Sequence, residues 1–426
     1  MNNRAFVRIA NRIDTYKDEM IDLQIELTAI PALSPDNGGD GEGAKALYLS
    51  GVLPRLGFSE VWEINAPDKR VSGRKRPNIF ARIPGRNDSK TVWILTHMDI
   101  VPPGERRLWR NDPYRAYVRG GNVYGRGTED NQQDMVASLF AAKAFLDEGI
   151  MPETSVGIAL VADEETASAF GLDYLLNTKM NPFRKTDIIV VPDAGNQRGN
   201  AIEVAEKSIL WLMFKIKGKQ CHASMPSLGK NAFLAGSHLV VSLDELHGIF
   251  DAVDTLYHPP SSTFQPTRKD ANVPNINTIP GEDVFYIDCR VLPCYSLRTV
   301  LSEIKKRMKE VEKHFGVSIE VAPVQYVQAP PATPYDSPVV KALQTAVRKV
   351  YKISAFPIGV GAGTVAAYFR RKDYPVAVWS RTTQTAHQPN EHCLIKNMLG
   401  NAKVFAHLFL QDYGITQHHR YRAKKS

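Results

Sequence analysis

Three short apolar runs in this chain each end in residues that bind metals or move protons. Trp93-Ile94-Leu95-Thr96 runs into His97-Met98-Asp99, Ile158-Ala159-Leu160-Val161-Ala162 into Asp163-Glu164-Glu165, and Ile188-Ile189-Val190-Val191-Pro192 into Asp193. Runs of this kind fit strands covered on both faces, as in a parallel sheet. In open α/β sheets, ligands bind beyond the carboxyl ends of the strands. One such ending is ordinary loop polarity. Three bring several carboxylates and an imidazole to one sheet edge, where like charges repel unless a cation holds them.

The surrounding sequence agrees with such a sheet. Asn78 to Ile83 alternates like a strand, and Val376 to Trp379 is a further apolar run. Helical spacing is visible in residues 15–35, in Ala44 to Leu53 before Pro54, and in Met135 to Leu146 before Gly149,. Strands alternating with helices indicate an α/β fold, with a central, mostly parallel sheet flanked by helices.

The middle of the chain has another rhythm. Leu210, Leu212, Phe214 and Ile216 alternate, and a helix is expected from about Asn231 to Phe250. Two strands are expected on either side of Pro280-Gly281. Val300, Leu301, Ile304, Met308 and Val311 then lie at helical spacing, and Val317 to Val321 reads as a last strand. The order β-α-β-β-α-β predicts a ferredoxin-like α+β domain. Pro323 to Pro334 reads as a hinge,. A small domain, 206–326, is therefore expected as an insertion in a larger one, 1–205 plus 327–426.

With 426 residues, two domains are the natural expectation,. No stretch approaches the roughly 18 apolar residues of a membrane span. Met1 to Lys17 lacks the pattern of a signal peptide, so a cytoplasmic location is expected,. Cys221, Cys289, Cys294 and Cys393 are scattered with no CxxC pair, so nothing suggests a disulfide framework or a zinc ribbon, and buried or idle thiols are expected,. The formal net charge is +8, partly from Lys69 to Arg76 and from the tail Arg420 to Lys425. No nucleic-acid motif accompanies it, and a basic balance suits an anionic substrate weakly.

Within the site segments, His97 and Asp99 form an HxD unit. Residues two apart in an extended chain share a face, so Asp99 is expected to accept the ring N–H of His97 and fix its tautomer. Asp130, in Gly125-Arg126-Gly127-Thr128-Glu129-Asp130, falls just before a helix and could be only its N-cap,. Glu164 and Glu165 are adjacent, and neighbours in an extended chain point apart. One can hold a metal while the other stays free as a base. The bland alternative is a solvated acidic loop.

Together with Ala386-His387-Gln388-Pro389-Asn390-Glu391, these segments resemble the carboxypeptidase G, acetylornithine deacetylase and succinyl-diaminopimelate desuccinylase family. Aminoacylases, carnosinase and bacterial di- and tripeptidases belong to the same group. The match spans nearly the whole chain in order. The resemblance implies a zinc-exopeptidase-like catalytic domain and an inserted lid and dimerisation domain. It implies two divalent cations, zinc foremost, with cobalt or manganese also suited. His97, Asp130 and Asp193 would hold one; Asp130, Glu165 and His387 the other. Glu164 would be the general base and Asp99 the partner of His97.

The same resemblance assigns His222 as the lid histidine that reaches the partner subunit's site in a homodimer. It assigns Arg290 and Asn277 to the substrate, and Gly363-Thr364 to a substrate loop. Arg290 lies opposite the apolar face of Phe285, Ile287, Cys289 and Val291, and is expected to be free to clamp a carboxylate,. His392, His418 and His419 are expected to be idle. Two departures bear on the substrate: Asn131-Gln132-Gln133 follow Asp130 where many relatives have lysine-glycine, and Val365 to Tyr368 replace the usual Ser-Asp and arginine. The expected activity is hydrolysis of a small N-acyl amino acid of the desuccinylase or deacetylase type. Asp193, in place of glutamate, favours the rival, a metallo-dipeptidase, aminopeptidase or carboxypeptidase. A non-catalytic metal-binding paralogue would have lost Glu164 or a ligand, and none is lost.

Overall fold

A computed structural model of the chain describes residues 3–413. His418, His419 and the basic tail lie outside the described residues. The chain forms two compact units. The first holds Met1–Val204, Thr333–Pro357 and the chain from Thr364; the second holds Ala205–Ala332 and Ile358–Gly363. Residues 327–332 and 358–363, expected with the larger domain, thus group with the smaller one. Local bonds give the reason for the second segment: Gly361 carbonyl accepts from Arg290, and Gly359 N–H donates to Leu256.

The first unit is built on a sheet in the order Glu60–Pro67, Lys75–Ile83, Thr154–Val161, Asn87–His97, Ile188–Asn196, Val376–Arg381, continued by residues 201–204 and 356–357 of two further strands. The three apolar runs are neighbours at its centre and run parallel, and Val376–Arg381 joins them in parallel. The strands Glu60–Pro67 and Lys75–Ile83 are antiparallel. Every residue of Thr154–Val161 is buried, which is what a run without polar alternation requires. One face packs Trp93, Leu95, Ala159, Val161, Ile189 and Val191 against Leu172, Leu175 and Phe369 of two short helices. Gln133–Asp147 and Ile395–Phe409 are long, largely buried helices that pack on each other.

One helix boundary differs from expectation. Pro54 does not stop the third helix, which runs Gly43–Arg55. A proline in the last turn removes only one bond of the ladder, and Leu56 N–H still reaches Val52,.

The second unit is a four-stranded antiparallel sheet, in the order Thr263–Lys269, Glu282–Val291, Ser208–Lys217, Ser318–Val327, with the helices Ala232–Asp244 and Leu297–Phe315. This is the ferredoxin-like order. Its second strand, however, is not the segment before Pro280. Thr278–Ile279 is a two-residue piece paired with Cys221–His222, and the partner of Glu282–Val291 is Thr263–Lys269. That edge strand buries only Phe264, so it carries no apolar alternation to read. The last strand runs through Pro323 to Val327, with an irregular register there. Proline is tolerated on an edge strand, and the hinge is correspondingly shorter. Among the described residues no helix is long and apolar enough to cross a membrane.

Candidate metal centre

The carboxyl ends of the three central strands deliver most of the candidate ligands to one edge. His97 is the last residue of its strand, and Asp193 lies within Ile188–Asn196. Glu164 and Glu165 do not lie in extended chain as expected. Asp163 at φ 62° turns the chain into the short helical turn Glu164–Thr166. Strand alternation therefore does not set the directions of these two side chains. Asp130 is not an N-cap: the helix begins at Gln133, and Gln132 is the residue that precedes it. Gly127 at φ 84° makes the approach possible, since a Cβ there would come within 2.7 Å of Ile100 Cγ2,.

Asp130 sits at the centre. Its Oδ1 is 3.1 Å from His97 Nε2, and its Oδ2 is 3.0 Å from His387 Nε2. His97 Nε2 is also 3.2 Å from Asp193 Oδ1, and His387 Nε2 is 3.3 Å from Glu165 Oε2. The five residues thus form two sets that share one carboxylate. His97, Asp130 and Glu165 each offer a ligand atom within 4.8 Å of the others. Glu165 Oε1 is buried without a hydrogen-bond partner. Imidazole and carboxylate donors with an unsatisfied buried oxygen suit divalent cations such as zinc.

The protonation pattern points the same way. Burial pushes His97 down, but Asp130 and Asp193 outweigh it and hold the imidazole well above its usual value. His387 is pushed up to about 10 by Asp130 and then Glu165. Burial raises Glu165 to about 7, helped by Asp130. Burial, then Asp193, Glu165 and Asp99, lift Glu164 well above the carboxylate range, against the pull of His97.

Asp99 is placed differently from expectation. The Nδ1–H of His97 donates to the backbone carbonyl of Asp99 at 2.9 Å, while the carboxylate Oδ1 stands 3.6 Å away. The carboxylate instead accepts from the backbone N–H of Glu164 at 3.1 Å and of Glu165 at 3.0 Å. The two-residue spacing was legible, but not which oxygen it would serve.

A surrounding layer escaped the sequence reading. Asn131, one of the departures, donates to Asp193 at 3.0 Å and accepts from the His97 N–H at 3.3 Å. Glu391 accepts from the N–H groups of Glu129 and Asp130 and pairs with buried Arg126. Glu42 pairs with buried Arg76 and accepts from Asp163 N–H at 3.1 Å. The GRG and HxPNE segments carried the only signal for this layer. A recess of about 180 Å³ beside Asp130 and Asp193 is lined by Gly195, Thr382 and Gln384 among others.

His222, Asn277, Arg290 and Gly363 belong to the second unit. His222 is exposed, with Nδ1 2.7 Å from Ser224 Oγ. Asn277 lies across from it: its carbonyl accepts from Ala223 N–H at 2.8 Å. Arg290 is not free. It forks onto Asp288 at 2.7 and 2.9 Å and donates to Gly361 carbonyl at 2.7 Å. Asp288 sits two residues away on the same strand face, where it competes for any clamp. Thr364 belongs to the first unit, and its Oγ1 accepts from Ala366 N–H at 3.2 Å at the start of a short helix. His392 stacks on Tyr124 at 4.7 Å, outside the metal group.

The family model for peptidase family M20/M25/M40 matches residues 93–411. A relative from Methanococcus maripaludis, an uncharacterized metallohydrolase, is 41% identical and covers 91% of this chain and 98% of its own. The chain belongs to peptidase family M20/M25/M40. This M20 chain is a metallohydrolase acting on carbon–nitrogen bonds. It is also similar to a succinyl-diaminopimelate desuccinylase of Methylobacterium sp., 26% identical over 89% of this chain and 92% of that one. In fold it matches a tripeptidase of Staphylococcus aureus with a TM-score of 0.73, at 17% identity and covering 92% of this chain and 98% of that chain.

Proposed function

We propose that the chain hydrolyses the amide bond of a small N-acyl amino acid, of the succinyl-diaminopimelate desuccinylase or acetylornithine deacetylase type. The observation that carries the catalytic part is the division of Asp130, one oxygen toward His97 and the other toward His387. In this reading His97, Asp130 and Asp193 hold one cation, and Asp130, Glu165 and His387 hold the other. Zinc is the expected metal, with cobalt or manganese as alternatives. Bound there, the cations would acidify the attacking water and polarise the scissile carbonyl.

The chain's own residues then do the rest. Glu164 takes the proton of the water and passes it to the leaving amine. Asp99 fixes both ends of this arrangement, orienting the His97 ring through its carbonyl and the Glu164-Glu165 turn through its carboxylate. The second unit serves as lid and homodimerisation domain, with His222 acting on the partner subunit's site. Arg290 exchanges Asp288 for a substrate carboxylate, and Asn277, Gly363 and Thr364 line the substrate. A cytoplasmic location belongs to the same reading.

Similarity to desuccinylases over most of the chain supports the acyl substrate. Asp193, with its short carboxylate, favours the second reading, a dipeptidase or related peptidase. Turnover of N-succinyl-diaminopimelate and N-acetylornithine against a panel of dipeptides, with zinc, cobalt or manganese, separates them. Preference for dipeptides, whose acyl residue carries its own free α-amino group, overturns the first reading. Glu164→Gln is expected to retain both cations and to lose about 10²- to 10⁴-fold in turnover. Undiminished turnover would remove Glu164 from its role.

A further inference from the structure

Three backbone N–H groups and two hydroxyls, each hydroxyl shared with the His392 carbonyl, converge on the buried carboxylate of Glu129 from one loop. Oε1 accepts from the N–H and hydroxyl of Thr383 and from Gln384 N–H at 3.1 Å. Oε2 accepts from the N–H of Thr385 and from its hydroxyl at 2.9 Å. Glu129 is 3% exposed. Every one of these donors is neutral, so the carboxylate holds main chain rather than balancing a cation.

That loop leads to His387, two residues beyond Thr385. The path includes Gln384 at φ 65° and His387 at φ 62°. Side-chain-bearing residues enter this region at a cost and stay there only when the surroundings hold them. Packing does not hold His387: its side chain is 54% exposed, against 1% for His97. The other partners on its side of the centre have separate anchors. Asp130 N–H is held by Glu391 Oε1 at 3.1 Å, and Glu165 N–H by Asp99 Oδ2 at 3.0 Å.

We propose that Glu129 is a positioning residue for His387, and that its carboxylate sets the affinity of the cation on the His387 side alone. This rests on the two-cation reading above. In Glu129→Gln, an amide N–H₂ would face backbone N–H groups, leaving donors without acceptors in a buried place. His387 would lose its fixed approach while His97 and Asp193 keep theirs.

The test is calorimetric titration of zinc into the metal-free full chain, with cobalt absorption as a second reading of ligand geometry. The wild type should bind two cations. Glu129→Gln should bind one as tightly as the wild type and the other about 10- to 100-fold more weakly, with Glu129→Asp recovering part of the loss. The thermal unfolding temperature of the metal-free Glu129→Gln form should fall because buried donors go unmet, and this loss is read apart from the two cation affinities. Equal weakening of both cations, or no weakening of either, overturns the proposal. Should Glu129→Gln fail to fold, Thr385→Val removes one donor and must weaken the same single cation; unchanged binding there overturns it as well. A wild type that binds only one cation would instead overturn the two-cation reading itself.

Discussion

Asp99 shows how much one residue can organise. Its carbonyl orients the His97 ring, and its carboxylate holds the backbone of both members of the Glu164-Glu165 pair. Asp99→Asn keeps the carbonyl but turns an N–H₂ toward one of two N–H donors. Turnover should fall about 10- to 100-fold, while the His97-side cation stays bound; steady-state kinetics and metal analysis on the same preparation check this. A loss of that cation instead would place the role of Asp99 on His97. Such contacts were only partly legible in sequence. His97, Asp193 and the Glu164-Glu165 pair could be picked out as candidates because strand ends place them, and Asp130 because a glycine turn precedes it; which glutamate faces a cation came only from the family motif. His387 was legible only as part of a family motif. The bonds of Glu129 to Thr383 and Thr385 span a sequence separation of 254 and more, and no local pattern announces them. Arg290 is the opposite case: Asp288, two residues away, was in plain view, but same-face pairing competes with substrate binding only once side-chain geometry is known.

Among the elements, the central strands were the most legible, because a strand buried on both faces is apolar over most of its length. Thr154–Val161 contains one residue that is small for a reason. A Cβ at Gly157 would lie 2.2 Å from Trp93 Cε3, on the neighbouring strand. Trp93 cannot move aside freely, as its Nε1–H is held by Asp187 at 3.0 Å. Gly157→Ala should therefore cost about 1–3 kcal/mol in overpacking, even though alanine suits a strand better than glycine elsewhere. Chemical denaturation should show the loss, and a variant as stable as the wild type would mean that the indole repacks. Elements that touch solvent were less legible. Thr263–Lys269 covers the sheet edge with mostly polar residues, and its strand identity comes from the ladder to Glu282–Val291 rather than from its own composition.

At the scale of the whole molecule, stability depends on a proton held outside the candidate ligands. Asp134 joins the helix Gln133–Asp147 to Ser380 of the central sheet at 2.6 Å and to Asn401 of the helix Ile395–Phe409 at 2.8 Å. Burial lifts its carboxyl to about 7, with Glu129 adding to the rise against these hydrogen bonds. An unfolded aspartate titrates near about 3.9. Between about pH 4 and about pH 7 the folded chain keeps a proton that the unfolded chain has lost, so this group lowers stability as pH rises through that window. Asp134→Asn cannot lose that proton. Its stability relative to the wild type should climb from pH 4 to pH 7 and level off above, by at most about 1.4 kcal/mol per pH unit. Urea unfolding of the metal-stripped proteins at several pH values reads this, and a pH-independent difference would show that Asp134 is ionised throughout. The sheet order has a consequence for synthesis. Val376–Arg381 lies between Ile188–Asn196 and Ala201–Glu206, yet it leaves the ribosome after the whole of Ala205–Ala332. At about 5–20 residues per second, a nascent chain carries Ile188–Asn196 with one side unpaired for many seconds. A product truncated before Val376 is therefore an open template for strand addition, and its fate is aggregation rather than weak activity.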